Sequence, residues 1–271
     1  MRPNKLRELV RAGKPTIGTH MHTVTPALVE MIGHTGMYDY VELVTEYATY
    51  DLHDLDNFCR AAELYDLSSM IKVDYDTRQY TAQRAIGAGF QGVLFVDNRT
   101  VEDARQCVRA VRAETPEDGG VFGSAARRFA YPVYGGSPQY VQALRDVVVM
   151  LMIEKKPAVE HLEQILAVPG IDMIQWGGVD FSMSIGKPGA SGSPEVKAVE
   201  RQVIETALKM GVQPRAEISR IEQAQYYLDL GVRHFCMGWD TGILHNWWKT
   251  NGEQLSKLVG TESLVGEQFA L

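Results

Sequence analysis

The chain has 271 residues, of which 45% are hydrophobic and 23% are charged, and its formal net charge is −7. This composition is typical of a globular protein, and the acidic balance leaves no broad basic surface for nucleic acid or for an anionic membrane. The N-terminus MRPNKLRELVRAGKP has no apolar signal-peptide core, and no apolar run is long enough for a membrane span. We therefore expect a cytoplasmic protein without nucleic-acid or membrane partners. Cys59, Cys107 and Cys236 form no CxxC pair and are expected to be reduced structural thiols.

Short apolar runs alternate with longer amphipathic segments along the chain, a pattern typical of parallel strands joined by helices. Eight strands are predicted, at 15–20, 39–44, 69–73, 92–96, 147–153, 172–176, 214–218 and 233–237. Eight strands in a chain of this length favour a closed (β/α)8 TIM barrel over an open doubly wound sheet. We predict one α/β domain over residues 1–271. The Gly-, Pro- and Arg-rich stretch 115–138 is irregular, and a loop of that length is usually functional or faces a partner.

Polar residues follow the predicted strands, and the carboxyl ends of barrel strands are where active sites are built. They are His20, His22, Glu46, Tyr47, Lys72, Asp74, Asp97, Asn98, Glu154, Asp180, Glu217 and Asp240. Glu154 closes the apolar run VVVMLMIE and Asp180 ends IDMIQWGGVD. A carboxylate there is costly unless a cation or a donor meets it, so two on adjacent strands predict a divalent metal, with oxygen ligands favouring Mg²⁺ or Mn²⁺. The alternative is that each carboxylate caps a helix or pairs with Lys72 or an arginine.

The GGVD segment indicates a second function for the same loop. Gly177 and Gly178 would let the backbone approach a ligand closely, and the amides of Val179 and Asp180 would suit a substrate carboxylate or phosphate. A simple tight turn after the sixth strand is the alternative.

These segments resemble the HpcH/HpaI aldolases, metal-dependent class II pyruvate aldolases of the phosphoenolpyruvate/pyruvate barrel superfamily. The most specific segment is GIDMIQWGGVDFSMSIG, with the glutamate of LMIEKKPAVEHLEQIL lying 26 residues before its aspartate. The likeness extends from KLRELVRAGKPTIGT, through IGAGFQGVLFVDNRTVEDARQCVRAVR and the GSAAR loop, to LDLGVRHFCMGWDTGIL. It implies that Glu154 and Asp180 are the protein ligands of the metal, and that the Val179 and Asp180 amides receive the carboxylate of a 2-oxo acid.

Two positions depart from the family pattern. Tyr47, in TEYAT, stands where the family usually has a histidine that takes part in proton transfer, and Lys72, in MIKVD, stands for an arginine that binds the 2-oxo group. Tyrosine is a poor base near neutral pH unless a cation depresses its pKa, whereas lysine keeps the charge of arginine without its planar fork. Gly120 replaces a further family arginine, although Arg127 and Arg128 follow it. Arg128 is a candidate for contacting an anionic substrate, and a surface or intersubunit salt bridge is the alternative.

His20 and His22 lie two residues apart at the end of the first strand and would point to the same side. They either form a rival metal site of the kind used by barrel hydrolases, or supply the missing catalytic histidine from another strand. We take His20 as a catalytic candidate beside Tyr47 and Lys72.

The resulting prediction is a carbon–carbon lyase that cleaves a hydroxy-2-oxo acid to pyruvate or a related 2-oxo acid plus an aldehyde, through a metal-stabilised enolate. A decarboxylase of an oxaloacetate-like acid needs the same enolate but no base for a hydroxyl proton. A metal-dependent hydrolase using the two histidines and a catalytically silent binding barrel are the alternatives from outside this class.

The C-terminal segment DTGILHNWWKTNGEQL carries Trp247 and Trp248. It is expected either to close the barrel or, as the resemblance implies, to be exchanged between subunits of a homo-oligomer, often a hexamer. Either arrangement would bury the pair.

Overall fold

In a computed structural model that describes residues 2–124 and 134–261, the eight strands form a closed parallel barrel in chain order, with β8 hydrogen-bonded to β1. They are β1 (Thr16–Met21), β2 (Tyr40–Val44), β3 (Ser68–Val73), β4 (Gly92–Phe95), β5 (Val148–Ile153), β6 (Met173–Trp176), β7 (Gln213–Ile218) and β8 (His234–Trp239). All eight predicted strands are confirmed, with ends shifted by at most two residues. The TIM-barrel prediction is therefore correct.

Helices surround this barrel. The described part contains α1 (Lys5–Arg11), α2 (Pro26–His34), α3 (Leu52–Leu64), α4 (Arg78–Ala88), α5 (Val101–Val111), α6 (Pro138–Arg145), α7 (Lys156–Glu160), α8 (Leu162–Leu166), α9 (Gly178–Ser184), α10 (Pro194–Lys209), α11 (Ala224–Asp229) and α12 (Asp240–Val259). Several begin at a side-chain cap. For example, Asp51 and Asp54 form a reciprocal capping box at the start of α3, which satisfies backbone donors that the first turn leaves free.

Strands with two buried faces explain the continuous apolar runs of the sequence. In β5, Val148, Met150 and Met152 point into the barrel, and the alternate residues pack under the surrounding helices. Leu6 of α1 is fully buried against the interior cluster, so the first helix covers the end of the barrel opposite the strand carboxyl ends. This packing holds the strand ends, and the residues after them, in a fixed ring.

The barrel interior is not wholly apolar. Arg215 of β7 and Glu42 of β2 form a buried ion pair, and the Arg215 Nε donates to Gln175 Oε1 over 2.6 Å. The Gln175 amide in turn donates to Glu217 Oε2 over 2.7 Å. A polar chain therefore runs from the middle of the barrel to its mouth.

The C-terminal helix α12 leaves the barrel after its first turn. Trp247 and Trp248 are each 62% exposed, and Ile243, Leu255 and Leu258 on the same helix are exposed as well. The expectation that the tryptophan pair is buried is wrong for the single chain, because the helix does not close the barrel but projects from it.

The three cysteines are buried thiols, in agreement with the prediction of reduced structural residues. None of the helices in residues 2–124 and 134–261 is both long and apolar enough to cross a membrane.

Candidate functional site

Glu154 and Asp180 lie at the mouth of the barrel, on neighbouring strand ends. Glu154 follows β5 directly, is 4% exposed, and its Oε1 accepts a hydrogen bond from the Asp97 amide over 2.8 Å. Burial raises the pKa of Glu154 to about 7, against the effect of that amide and of Lys72. Burial is the largest cause of this shift, so a cation placed beside Glu154 would favour its ionised form.

Asp180 lies in the first turn of α9 and is more exposed. Its Oδ1 accepts from the Lys155 ammonium over 2.8 Å, and the same ammonium lies 2.7 Å from Asp97 Oδ1. One alternative to a metal was that the carboxylates pair with Lys72 or an arginine. Asp180 does pair with a protein cation, but that cation is Lys155. Lys155 was not singled out from the sequence, and Asp97 was noted only as a strand-end residue.

The donors present fit a divalent metal. Glu154 offers a buried carboxylate, and Asp180 already holds a cation at one oxygen. Among the described residues, no group of three or more His, Cys, Asp or Glu side chains is placed to hold a metal. Two carboxylates alone leave the other positions to water and substrate oxygens, which suits Mg²⁺ or Mn²⁺ better than zinc.

Gly177 and Gly178 begin α9 at the same point. A Cβ on Gly177 would lie 2.6 Å from Glu154 Oε2, and one on Gly178 would lie 2.9 Å from the Trp176 indole nitrogen. The segment forms the start of a helix and not the simple tight turn that was the alternative. Its N-cap has no side-chain hydrogen bond, so the first amides, including those of Val179 and Asp180, have no partner within the helix.

Lys72 and Tyr47 lie next to each other, close to Glu154 and Asp180. The Lys72 ammonium is 2.8 Å from Glu46 Oε2 and 5.0 Å from the centre of the Tyr47 ring. Burial would lower the pKa of Lys72, but Glu46, together with Tyr47 and Glu154, raises that pKa overall, so Lys72 stays charged. Burial also raises the pKa of Tyr47 by more than Lys72 lowers it. Tyr47 is therefore a phenol near neutral pH, a proton donor and not a base.

His20 and His22 form part of a ring cluster on the β1 and β8 side of the mouth. Their rings are stacked with centres 5.2 Å apart, Trp239 lies 6.0 Å from His20, and the edge of Tyr47 meets His22 at 5.2 Å. In the part of the chain that the structure describes, no group of three or more His, Cys, Asp or Glu side chains is arranged to hold a metal, so the structure offers no support for the rival hydrolase site.

Glu217 adds a carboxylate to this cluster. Its Oε1 lies 3.8 Å from His20 Nε2, and its other oxygen accepts from Gln175. Glu217 was noted among the strand-end residues but received no role, since nothing in its local sequence shows that it faces His20 across strand β8.

Two arginine predictions concern the loop after α5. Arg127 and Arg128 lie outside the described residues. Gly120 has a structural reason to lack a side chain, because a Cβ there would lie 2.0 Å from the Arg112 carbonyl oxygen.

A closed barrel with polar and charged side chains gathered at the carboxyl ends of its strands is the architecture of a barrel enzyme. A sequence model of the HpcH/HpaI aldolase/citrate lyase family matches residues 17–246, and the chain belongs to that family. It is thus a lyase of the aldolase type.

Individual relatives agree with this assignment. The 4-hydroxy-2-oxo-heptane-1,7-dioate aldolase of Escherichia coli is 28% identical over 242 residues, which cover 89% of this chain and 90% of that protein. Among solved structures, an HpcH/HpaI aldolase from Desulfitobacterium hafniense superposes with a TM-score of 0.85 at 22% identity, covering 96% of this chain and all of that one. A family member from Burkholderia cenocepacia gives 0.81 at 27% identity, with 93% and 99% covered.

Proposed function

We propose that this aldolase cleaves a 4-hydroxy-2-oxo acid to pyruvate, or a related 2-oxo acid, and an aldehyde. The observation that carries the proposal is the pair Glu154 and Asp180 at adjacent strand ends, with the carboxylate of Glu154 buried. The name of the E. coli relative supports the 4-hydroxy-2-oxo pattern of the substrate.

Glu154 and Asp180 would hold Mg²⁺ or Mn²⁺, and a metal bound there supplies a Lewis acid at the 2-oxo oxygen. The amides of Val179 and Asp180 bind the substrate carboxylate, and Gly177 and Gly178 allow that close approach. Lys72, fixed by Glu46, balances with its ammonium the negative charge that develops when the C3–C4 bond breaks. Arg128 remains a candidate for a second anionic group of the substrate.

The protons are handled by groups on different strands. His20, with Glu217 beside it, accepts the proton of the 4-hydroxyl group as the aldehyde forms. The Tyr47 phenol, or a water beside it, returns a proton to C3. In the condensation direction the same groups act in reverse.

Decarboxylation of an oxaloacetate-like acid is the second candidate. The raised pKa of Tyr47 favours it, because loss of CO₂ requires no base for a hydroxyl proton.

We also infer that the protein is a homo-oligomer, with the hexamer suggested by the family resemblance as the expected size. The apolar residues of α12 that project from the single chain support an exchange of this helix between subunits. The cytoplasmic location stays a prediction from the N-terminal sequence.

The test is deuterium exchange into the methyl group of pyruvate, followed by proton NMR in D₂O with Mg²⁺ and again with chelator. We expect metal-dependent exchange that Glu154→Gln abolishes, whereas Glu163→Gln, the same change on an exposed glutamate of α8, leaves it intact. Exchange that survives chelator or Glu154→Gln would refute the site. Absent exchange together with CO₂ release from oxaloacetate would establish the second candidate in place of the first.

A further inference from the structure

Three charged side chains form a continuous ionic chain beside the proposed metal site. Lys155, the residue after Glu154, has its ammonium 2.7 Å from Asp97 Oδ1 and 2.8 Å from Asp180 Oδ1. The Lys155 side chain is only 15% exposed, so this ammonium is largely shielded from water. One of the two proposed metal ligands therefore carries a protein cation on one of its two carboxylate oxygens.

Asp97 contacts both halves of the site. Its backbone is left-handed, with φ of 58°, and its amide donates to Glu154 Oε1 over 2.8 Å. Its carbonyl oxygen accepts from Arg99 over 2.8 Å, and its carboxylate holds Lys155. Since Asp and Asn tolerate this backbone region better than other non-glycine residues, the residue type fits its position. Asp97, in the β4–α5 loop, therefore links the position of Glu154 to that of Asp180.

We propose that Lys155 is a positioning residue whose ammonium pairs with the Asp180 carboxylate when no metal is bound. When a metal displaces this ammonium from Asp180, Asp97 retains it. The proposal rests on the function proposed above, because it takes Glu154 and Asp180 as the ligands. With all three carboxylates ionised, Lys155 leaves the group with two net negative charges, which match one divalent cation. Binding of one divalent cation would therefore neutralise the group, and Asp97 would keep the displaced ammonium paired.

The test measures the dissociation constant of Mn²⁺ by electron paramagnetic resonance of the free ion, without substrate. Lys155→Met removes the competing ammonium and is expected to tighten binding about fivefold, the scale of one partly exposed ion pair. Asp97→Asn keeps the left-handed backbone and the amide to Glu154 but gives Lys155 no second partner, so binding is expected to weaken about fivefold. In the double variant the effect of Asp97→Asn should largely disappear, because no ammonium remains to be retained.

Controls separate this contact effect from long-range charge. Lys156→Met removes the same charge from the next residue, whose side chain is 59% exposed, and is expected to leave the constant unchanged. All measurements are repeated at about 0.5 M salt, where the Debye length is only a few ångströms and distant charges are screened. Thermal unfolding of each variant in chelator confirms that it is folded.

Two different failures are distinguishable. If Mn²⁺ binds the wild type and Glu154→Gln equally well, the proposed metal site is wrong and the inference falls with it. If binding requires Glu154 but Lys155→Met weakens or does not change it, or if Asp97→Asn weakens it equally with and without Lys155, the site stands and the role of Lys155 is refuted.

Discussion

The ion pair inside the barrel gives the strongest stability prediction. Glu42 and Arg215 are 1% and 2% exposed, and they lie on strands β2 and β7. Glu42 Oε1 and Arg215 Nη2 have no hydrogen-bond partner within residues 2–124 and 134–261, so each group depends heavily on the other for its compensation. We consider Arg215→Met, which keeps most of the side-chain volume and removes the charge.

Breaking a buried pair by removing one partner costs about 3–5 kcal/mol, because the other charge is left uncompensated. Burial would raise the pKa of Glu42, but Arg215 outweighs it and holds that pKa below its usual range. Without Arg215, burial becomes the main influence on Glu42. It raises the pKa of Glu42 in the folded variant above the pKa of the same group in the unfolded chain. The destabilisation should therefore reach its full size above neutral pH and shrink as pH falls towards 4.5.

The assay is urea unfolding followed by circular dichroism at fixed protein concentration, at pH 8 and pH 5. The double variant Glu42→Gln, Arg215→Met should recover most of the loss, since two neutral side chains leave no buried charge. A loss below about 1 kcal/mol for Arg215→Met, or a double variant as unstable as the sum of the single ones, would refute the view that the two groups compensate each other.

Three further predictions concern the site, the pH dependence and the assembly. Gly177→Ala would place a Cβ 2.6 Å from Glu154 Oε2, so we expect about a hundredfold loss of kcat/KM, measured in a coupled pyruvate assay; activity within a few-fold of wild type would contradict this. Burial lowers the pKa of His234 to about 4 from 6.5, so its contribution to folding is complete above pH 6.5 and falls by about 3 kcal/mol as pH drops towards 4. The urea stability of His234→Asn should lack this part of the pH dependence. Changing Trp247 and Trp248 to lysine should lower the mass of the oligomer in light scattering; an unchanged mass would mean that α12 is not at the interface.

The strands, and the place of Glu154 and Asp180 at strand ends, were predictable from the sequence because each depends on local patterns. Apolar runs with turn residues between them mark the strands, and the polar residue after each run marks the mouth of the barrel. Glu154 and Asp180 stand out for that reason, since each ends a run in which a carboxylate is unexpected. The resemblance then adds roles to residues that were already candidates.

Contacts between distant strands were not predictable in the same way. Glu217 meets His20, and Arg215 meets Glu42, only because closure brings β7 and β8 beside β1 and β2. Lys155 follows Glu154 in the sequence, yet its partners Asp97 and Asp180 follow two other strands, β4 and β6. Such pairs depend on strand register and on side-chain direction, and a one-residue shift would turn each side chain to the opposite face.

The departures from the family pattern have a common physical consequence in this structure. Lys72 retains its positive charge because Glu46 lies against it, and burial keeps the Tyr47 phenol protonated. Neither group can accept a proton near neutral pH, so a base for the 4-hydroxyl proton has to come from another strand. His20, with the Glu217 carboxylate 3.8 Å from its Nε2, is the described group at the mouth whose chemistry suits that task. In the proposed reaction, proton removal therefore moves from the end of β2 to the ends of β1 and β7, while the metal pair keeps its place after β5 and β6.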